Sequence, residues 1–162
     1  MCGIAAASGP QSESLIQEML ARLCHRGPDG QGVTRVGDVS LGHARLAIVD
    51  VAGGKQPMFN ERASLAIAFN GEIYNHLALK REIEARHTFR TRSDTEVLVH
   101  LYEEWAEDML PKLDGMFAFA LAGSNGLLLA RDPLGIKPLY YGRKGKALMA
   151  ASEIKALPPL DR

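Results

Sequence analysis

The chain has 162 residues, of which 46% are hydrophobic and 23% are charged, a composition typical of one folded domain with its own core. Nineteen basic residues balance nineteen acidic residues, so the net charge gives no indication of a nucleic-acid partner or an anionic membrane surface. No apolar run approaches the roughly 18 residues of a membrane span, and no signal-peptide pattern precedes the first predicted strand, so we expect a cytoplasmic protein.

The N-terminal part of the chain predicts a strand followed by a helix. Residues 3–7 form a short apolar run that ends at a Ser-Gly-Pro turn, which indicates a buried strand. Ser14 with Gln17 three residues later resembles a capping box, and the helix behind it has apolar residues at helical spacing, namely Ile16, Met19, Leu20 and Leu23. The Gly- and Pro-rich segment 25–30 should end this helix.

The middle of the chain predicts strands over 32–36, 39–48 and 65–69. Asn70-Gly71 follows the last of these and precedes a further short apolar segment, the pattern of a two-residue hairpin turn. Asn75 can cap a helix that runs to about Arg86. Ser93 and Glu96 form a second capping box, which begins another helix.

The last third alternates strands and turns, with strands predicted over 116–122, 127–131, 139–142 and 147–151. Strands and helices therefore come in blocks, which favours antiparallel sheets with helices packed outside them, an α+β layered domain. We expect one domain over 1–157, because no internal boundary is visible. Residues 158–162 begin with Pro158-Pro159 and are typical of the start of a linker.

The two cysteines, Cys2 and Cys24, predict neither a disulfide framework nor a metal site. Cys2 has a further option, because removal of Met1 would leave it with a free α-amine. That amine has a reference pKa of about 7.7–8.0, against about 8.5 for a thiol, so it can act as the base for its own nucleophile. The simpler interpretation of either cysteine is a small apolar residue.

Attack of a thiol on an amide carbonyl creates an oxyanion that needs two hydrogen-bond donors. Asn70 and Gly71 offer a side-chain amide and an unhindered N–H, although a plain hairpin turn is the favoured explanation of the pair taken alone. Arg45 interrupts an apolar strand and could bind a carboxylate, and Glu72 and Asp94 could bind an ammonium group. An acid in the first turn of a helix is also ordinary, so Asp94 has a structural interpretation as well.

Seven motifs occur in order along the chain and carry a resemblance to a known family. They are Met1-Cys2-Gly3-Ile4, His25-Arg26-Gly27-Pro28-Asp29, Ala44-Arg45-Leu46-Ala47-Ile48-Val49-Asp50, Asn70-Gly71-Glu72-Ile73-Tyr74-Asn75, Ser93-Asp94-Thr95-Glu96, Gly115-Met116-Phe117-Ala118-Phe119-Ala120 and Arg131-Asp132-Pro133-Leu134-Gly135-Ile136-Lys137-Pro138-Leu139-Tyr140. Together they resemble the glutaminase domain of class II glutamine amidotransferases of the glutamine-hydrolysing asparagine synthetase type.

The resemblance implies the four-layer αββα sandwich of N-terminal-nucleophile hydrolases and a role for each matched residue. It implies that Cys2 is the nucleophile and that Asn70 and Gly71 form the oxyanion hole. It also implies that Arg45 binds the carboxylate of L-glutamine, that Glu72 and Asp94 bind its ammonium group, and that the backbone at Ile48 and Val49 lines the pocket. The expected reaction is hydrolysis of L-glutamine to L-glutamate and ammonia through a thioester.

The resemblance also bears on cofactors and partners. We expect no cofactor or metal in this domain, since ATP and Mg²⁺ would serve only a separate synthetase domain, present in cis or in trans. A homodimer is compatible with the family. Three alternatives stay open: a stand-alone amidotransferase subunit, a non-catalytic glutamine-binding module, and an N-terminal-nucleophile hydrolase that acts on another amide.

Overall fold

The computed structural model describes residues 1–10, 12–48 and 50–160. Within that part of the chain it contains strands β1 (Gly3–Ser8), β2 (Gly30–Val36), β3 (Val39–Arg45), β4 (Met58–Phe59), β5 (Ala66–Ile73), β6 (Gly115–Gly123), β7 (Gly126–Arg131), β8 (Tyr140–Lys144) and β9 (Ala147–Ala151). The α-helices are α1 (Ser12–Leu23), α2 (His76–Ile83) and α3 (Asp94–Trp105), and short 3₁₀ helices span Cys24–Arg26, Ala106–Lys112 and Ile154–Ala156. None of these helices is long and apolar enough to cross a bilayer.

The strands form two antiparallel sheets. The first sheet has the order β2-β3-β1-β9-β8, and the second has the order β4-β5-β6-β7. In the first sheet β1 lies at the centre, between β3 and β9, so that Gly3 at its start is opposite Ala44 near the end of β3. This register places the residue before β1 beside the residues that follow β3.

Three apolar cores separate four layers. Helix α1 packs on the outer face of the first sheet through residues such as Ile16, Leu20 and Leu23. Helices α2 and α3 cover the outer face of the second sheet, where Phe117 and Phe119 are among the core residues. The order of layers is therefore α1, first sheet, second sheet, and α2 with α3, which confirms the predicted αββα sandwich.

The core between the two sheets is built mainly from alanine. Besides Ile4, Val39 and Leu41, its buried residues are alanines contributed by both sheets, namely Ala6, Ala66, Ala68, Ala118, Ala120, Ala122 and Ala150. All of these alanines are at most 1% exposed. Because a methyl group is the smallest side chain that can fill such a layer, the two sheets pack closely against each other.

The predicted hairpin turn at Asn70-Gly71 is wrong. Both residues lie inside β5, which runs without a break from Ala66 to Ile73 and pairs along its whole length with β6. The glycine is needed here for close packing rather than for a turn, because a Cβ on Gly71 would collide with the backbone of Met116 and Phe117 on the neighbouring strand.

The predicted helix ends are partly wrong. Helix α1 begins at Ser12, so Ser14 lies inside it and does not cap it. Helix α2 follows Asn75 directly and ends at Ile83, before the predicted Arg86. The Asn75 side chain binds the backbone of Lys112 and Asp114 and does not cap the helix.

Ser93 does cap α3, since its side chain accepts a hydrogen bond from the N–H of Thr95. The Glu96 carboxylate binds the backbone of Arg90 and Thr91 rather than the cap residue. The second capping box is therefore only half formed.

Candidate active site

A cavity of about 110 Å³ lies where the two sheets meet the start of α3. Cys2 immediately precedes β1, Arg45 ends β3, and three predicted site residues come from the last half of β5. Seven of the eight residues predicted for the site line this cavity, namely Cys2, Arg45, Ile48, Asn70, Gly71, Glu72 and Asp94. The eighth, Val49, lies outside the described residues.

The Cys2 side chain is partly buried at the base of the cavity. Its Sγ lies 3.4 Å from the N–H of Leu46, which donates to it, and 3.5 Å from the carbonyl oxygen of the same residue. This pair of backbone contacts fixes the thiol against the segment that follows β3. The nucleophile candidate is therefore held by main-chain atoms of residue 46, and these contacts do not depend on which side chain that residue carries.

Arg26 holds the backbone of Cys2 in place. Its Nε donates to the Cys2 carbonyl oxygen at 2.9 Å, and its Nη1 donates to Glu153 at 2.8 Å. The hydrogen bond from Arg26 to Glu153 is the largest reason why the pKa of the Glu153 carboxyl falls to about 2. No role was predicted for Arg26, although it belongs to a quoted motif, because its partner Glu153 is 127 residues away along the chain.

The Asn70 side chain supplies an unpaired donor to the cavity. Asn70 is 3% exposed, and its Nδ2 is buried without a hydrogen-bond partner among the described residues. A buried amide nitrogen without a partner is uncommon, because its desolvation is not compensated. A resting site that keeps such a donor free can offer it to an oxygen of a bound substrate.

Arg45 brings a positive charge whose hydrogen-bond partners among the described residues are neutral backbone carbonyls. Its two terminal nitrogens donate to the backbone carbonyls of Val51 at 2.9 Å and Asp50 at 2.8 Å. These carbonyls orient the guanidinium without cancelling its charge, so it remains able to bind a carboxylate. Ile48 lies nearby at the rim and is 73% exposed.

Asp94 and Glu72 bring negative charge to the same cavity. Asp94 is 4% exposed, and burial raises the pKa of its carboxyl above the ordinary value. A hydrogen bond from the N–H of Ile73, 3.0 Å from Oδ2, opposes that rise, while the charge of Glu72 adds to it. The negative charge of Glu72 therefore disfavours ionisation of Asp94, and a cation bound beside Asp94 would favour it.

Two further residues with no predicted role, Gln56 and His43, support the site. Gln56 accepts from the N–H of Phe69 at 2.7 Å and donates to the Thr95 hydroxyl at 3.3 Å, so it connects β5 to α3. His43 lies within 3.0 Å of the Phe69 carbonyl, and burial lowers its pKa to about 4. It is therefore neutral at pH 7 and donates from Nε2.

Lys137 also lines the cavity and is 8% exposed. Its Nζ lies 3.9 Å from the sulfur of Met1. The residue belongs to the last of the quoted motifs, but a lysine in a loop carries no signal of burial at a cavity wall.

Two antiparallel sheets between helical layers, with a cysteine before the central strand of one sheet, define an N-terminal-nucleophile type of amidotransferase. Two solved structures have this fold: the glutamine phosphoribosylpyrophosphate amidotransferase from B. subtilis, with a TM-score of 0.83 and 28% identity, and an allosteric regulatory enzyme of purine biosynthesis, with 0.82 and 29%. Each match covers 96% of this chain and 42% of the solved chain. The model of the glutamine amidotransferase domain family matches residues 1–161, and the chain belongs to that family.

The curated relatives show which members of this family the chain is similar to. An asparagine synthetase (glutamine-hydrolysing) from Asparagus officinalis is 46% identical to this chain, and asparagine synthetase 3 from Arabidopsis thaliana is 48% identical. Both matches cover 97% of this chain and 28% of the relative. The chain thus spans little more than a quarter of the length of these relatives. The resemblance inferred from the seven motifs is confirmed.

Proposed function

We propose that this chain hydrolyses the side-chain amide of L-glutamine to L-glutamate and ammonia, with Cys2 as the nucleophile. The observation that carries the proposal is the free Nδ2 of Asn70, a buried donor without a partner in the same cavity as the Cys2 thiol. With the N–H of Gly71, it would form the oxyanion hole that thiol attack on an amide requires.

The charges of the cavity support a free amino acid as the substrate. Arg45 would bind the α-carboxylate, and Glu72 and Asp94 would bind the α-ammonium group, so that both charges of glutamine are matched. A peptide lacks this pair of charges at an internal glutamine. The backbone of the segment containing Ile48 and Val49 would close the remaining side of the pocket.

The reaction would proceed in two halves. The α-amine of Cys2 takes the proton of the thiol, and the thiolate attacks the amide carbon to give a tetrahedral oxyanion bound by Asn70 and Gly71. Collapse breaks the C–N bond, the leaving nitrogen takes the proton from the α-ammonium, and a thioester remains. A water molecule then attacks the thioester while the amine takes its proton, and loss of the thiol releases glutamate.

Removal of Met1 is a condition of this mechanism. While Met1 is attached, the nitrogen of Cys2 is an amide and cannot act as a base. Met1 is 58% exposed, so an aminopeptidase can reach it. The mass of the intact protein made in cells should therefore lack methionine, and a preparation that retains it should be inactive.

We place this activity in the N-terminal domain of an ATP-dependent asparagine synthetase. The identity to asparagine synthetases over 97% of the chain supports that assignment. The glutaminase domain would then cover 1–157, and residues 158–162 would begin a linker to the synthetase domain, which would use ATP and Mg²⁺. A synthetase on a separate chain is the alternative, and the coding sequence after position 162 distinguishes the two. The free thiols of Cys2 and Cys24 favour the reducing cytoplasm.

Cysteine variants of the processed protein test the proposal. Glutamate formation from glutamine should be abolished by Cys2→Ala. Cys24→Ala is the matched control, because Cys24 is a free, exposed thiol at the end of α1 and does not line the cavity, and it should leave turnover unchanged. Glutamine turnover that survives Cys2→Ala would overturn the nucleophile assignment, and glutamine binding without turnover in the processed wild type would favour a non-catalytic module.

A further inference from the structure

A cluster of two histidines and two glutamates lies outside the candidate active site. It consists of Glu61, His87, His100 and Glu103 and is called the His-Glu cluster below. Glu61 lies between β4 and β5, His87 follows α2, and the other two residues lie one turn apart on α3. None of the four lines the cavity that contains Cys2.

Three of the four nitrogen–oxygen distances within the His-Glu cluster match those between the ligands of a tetrahedral metal ion, and the fourth, between His100 and Glu103, is a hydrogen bond that a bound ion would replace. Zn²⁺ binds imidazole and carboxylate at about 2.0–2.2 Å, so its ligand atoms stand roughly 3.3–3.6 Å apart in a tetrahedron. His100 Nδ1 lies 2.9 Å from Glu103 and 3.5 Å from Glu61. His87 Nδ1 lies 3.5 Å from Glu61 and 3.6 Å from Glu103, and all four ligand atoms lie within 4.8 Å of one another.

Hydrogen bonds from outside the cluster orient two of these side chains, His87 and Glu103. His87 Nε2 is 3.0 Å from the carboxylate of Glu104, which can only accept, so Nε2 donates to it and Nδ1 is the nitrogen that faces the cluster. Asn60 donates to the second oxygen of Glu103 at 2.8 Å. A carboxylate behind a ligand histidine is the usual arrangement around protein-bound zinc.

Burial and charge also suit a divalent cation. The side chains of His100 and His87 are 1% and 8% exposed, whereas those of Glu61 and Glu103 are 26% and 20% exposed. The carboxylates therefore leave a route from solvent to the buried imidazole nitrogens. A histidine must be neutral to bind a metal ion, so in the metal-bound form two histidines and two carboxylates would contribute a charge of −2, which one divalent ion neutralises.

We propose that the His-Glu cluster binds one Zn²⁺ ion through Glu61, His87, His100 and Glu103. Imidazole with carboxylate is a ligand set that suits Zn²⁺, and four protein ligands with no open position are typical of a structural rather than a catalytic site. The ion would connect the segment between β4 and β5 and the chain after α2 to α3, whose first turn carries Asp94.

Zinc binding to the full-length chain tests this inference. The Cys2→Ala background is used throughout, because an N-terminal cysteine can itself chelate zinc. Metal-stripped protein is titrated with Zn²⁺ against a chromophoric chelator, and the melting temperature is followed. We expect one equivalent bound, and a rise of about 5–10 °C when free zinc is a hundred times the dissociation constant.

Variants locate the ion. His87→Ala should lose the bound equivalent and the thermal shift. Glu61→Gln should lose both as well, and because Glu61 is more exposed, this variant gives the answer even if His87→Ala folds poorly. His25→Ala is the matched control, because His25 also contacts a glutamate, Glu153, at 3.0 Å but lies outside the His-Glu cluster. Retention of the equivalent in both cluster variants, or no binding above that of a buffer blank, would overturn the site.

Substitution with Co²⁺ gives an independent readout. A tetrahedral cobalt ion absorbs strongly in the visible range, and the bands should appear in the parent protein and in the His25→Ala variant only. Absence of these bands in the parent protein would contradict the tetrahedral geometry. Glutamine turnover of the same variants in the wild-type Cys2 background reports separately on the active site, so loss of zinc binding and failure of the glutaminase proposal can be told apart.

Discussion

Two buried asparagines give a sharp test of the oxyanion hole. Asn70 and Asn60 are each 3% exposed, but their hydrogen bonds differ. The Nδ2 of Asn70 has no partner in the described part of the chain, whereas Asn60 donates to Ser64 and Glu103 and accepts from the N–H groups of Ser64 and Leu65, at 2.8–3.0 Å. Replacing each by alanine should therefore have opposite consequences.

The expected magnitudes follow from these contacts. Loss of one oxyanion donor lowers kcat about 10²–10³-fold, or roughly 2.7–4 kcal/mol of transition-state stabilisation. Because the Asn70 donor is unpaired at rest, Asn70→Ala should change the free energy of unfolding by less than about 1 kcal/mol. Asn60→Ala removes four hydrogen bonds and should cost about 2–4 kcal/mol, with kcat little changed.

Two measurements on the same preparations distinguish a catalytic role of Asn70 from a structural role of Asn60. Glutamate release, followed with glutamate dehydrogenase, gives kcat, and thermal unfolding gives the stability. For a chain of this length we expect a melting temperature within about 4 °C of the wild type for Asn70→Ala, and one lower by about 4–16 °C for Asn60→Ala. An Asn70→Ala enzyme that keeps more than a tenth of the wild-type kcat, or that melts as early as Asn60→Ala, would refute the reasoning.

Three further predictions concern charge. Arg45→Ala should raise the half-saturating glutamine concentration at least about thirty-fold, since loss of one buried charged contact costs roughly 2–5 kcal/mol; an unchanged value would exclude its role in binding the carboxylate. Asp94→Asn should stabilise the protein at pH 7 while weakening glutamine binding. Burial raises the folded-state pKa of Asp94, so the contribution of Asp94 to stability is complete below its unfolded-state pKa and is lost as the pH rises through its folded-state pKa. In urea unfolding, the stability gained by Asp94→Asn should therefore be smaller below about pH 4 than at pH 7. An equal gain in stability at both pH values would contradict this. Glu153→Gln should have the reverse pH dependence. Its folded pKa is lowered from 4.5 to about 2, so wild-type stability should fall between these values as the pH drops, and urea midpoints that fall equally in the variant would contradict the assignment.

The candidate site could be located from the sequence because its residues lie in short, recognisable motifs; their roles stay predictions. Seven motifs in order identified the family and seven of the eight predicted residues line one cavity, although most of the individual residues also had a structural interpretation. Arg26 was missed for the opposite reason: its contact with Glu153 joins segments 127 residues apart. The His-Glu cluster was missed in the same way, since its members are drawn from three segments of the chain.

The fold class followed from the block order of elements, but some local features did not. Asn70-Gly71 has the composition of a hairpin turn, and only the approach of β6 to Gly71 explains why the strand continues. Ser14 with Gln17 satisfies the capping pattern, yet the helix starts at Ser12. Local signals of this kind give way when tertiary packing supplies a different set of contacts.

The alanine layer between the sheets has a consequence for catalysis. Cys2 immediately precedes β1 and Arg45 ends β3, both strands of the first sheet, whereas Asn70 and Gly71 belong to the second. The gap between the proposed nucleophile and the proposed oxyanion donors is therefore set by the thickness of that layer, in which Ala68 and Ala118 are fully buried. A larger side chain at either position would push the sheets apart and widen the gap, although it touches no substrate. In this architecture the dimensions of the reaction centre are determined by the smallest side chains of the core.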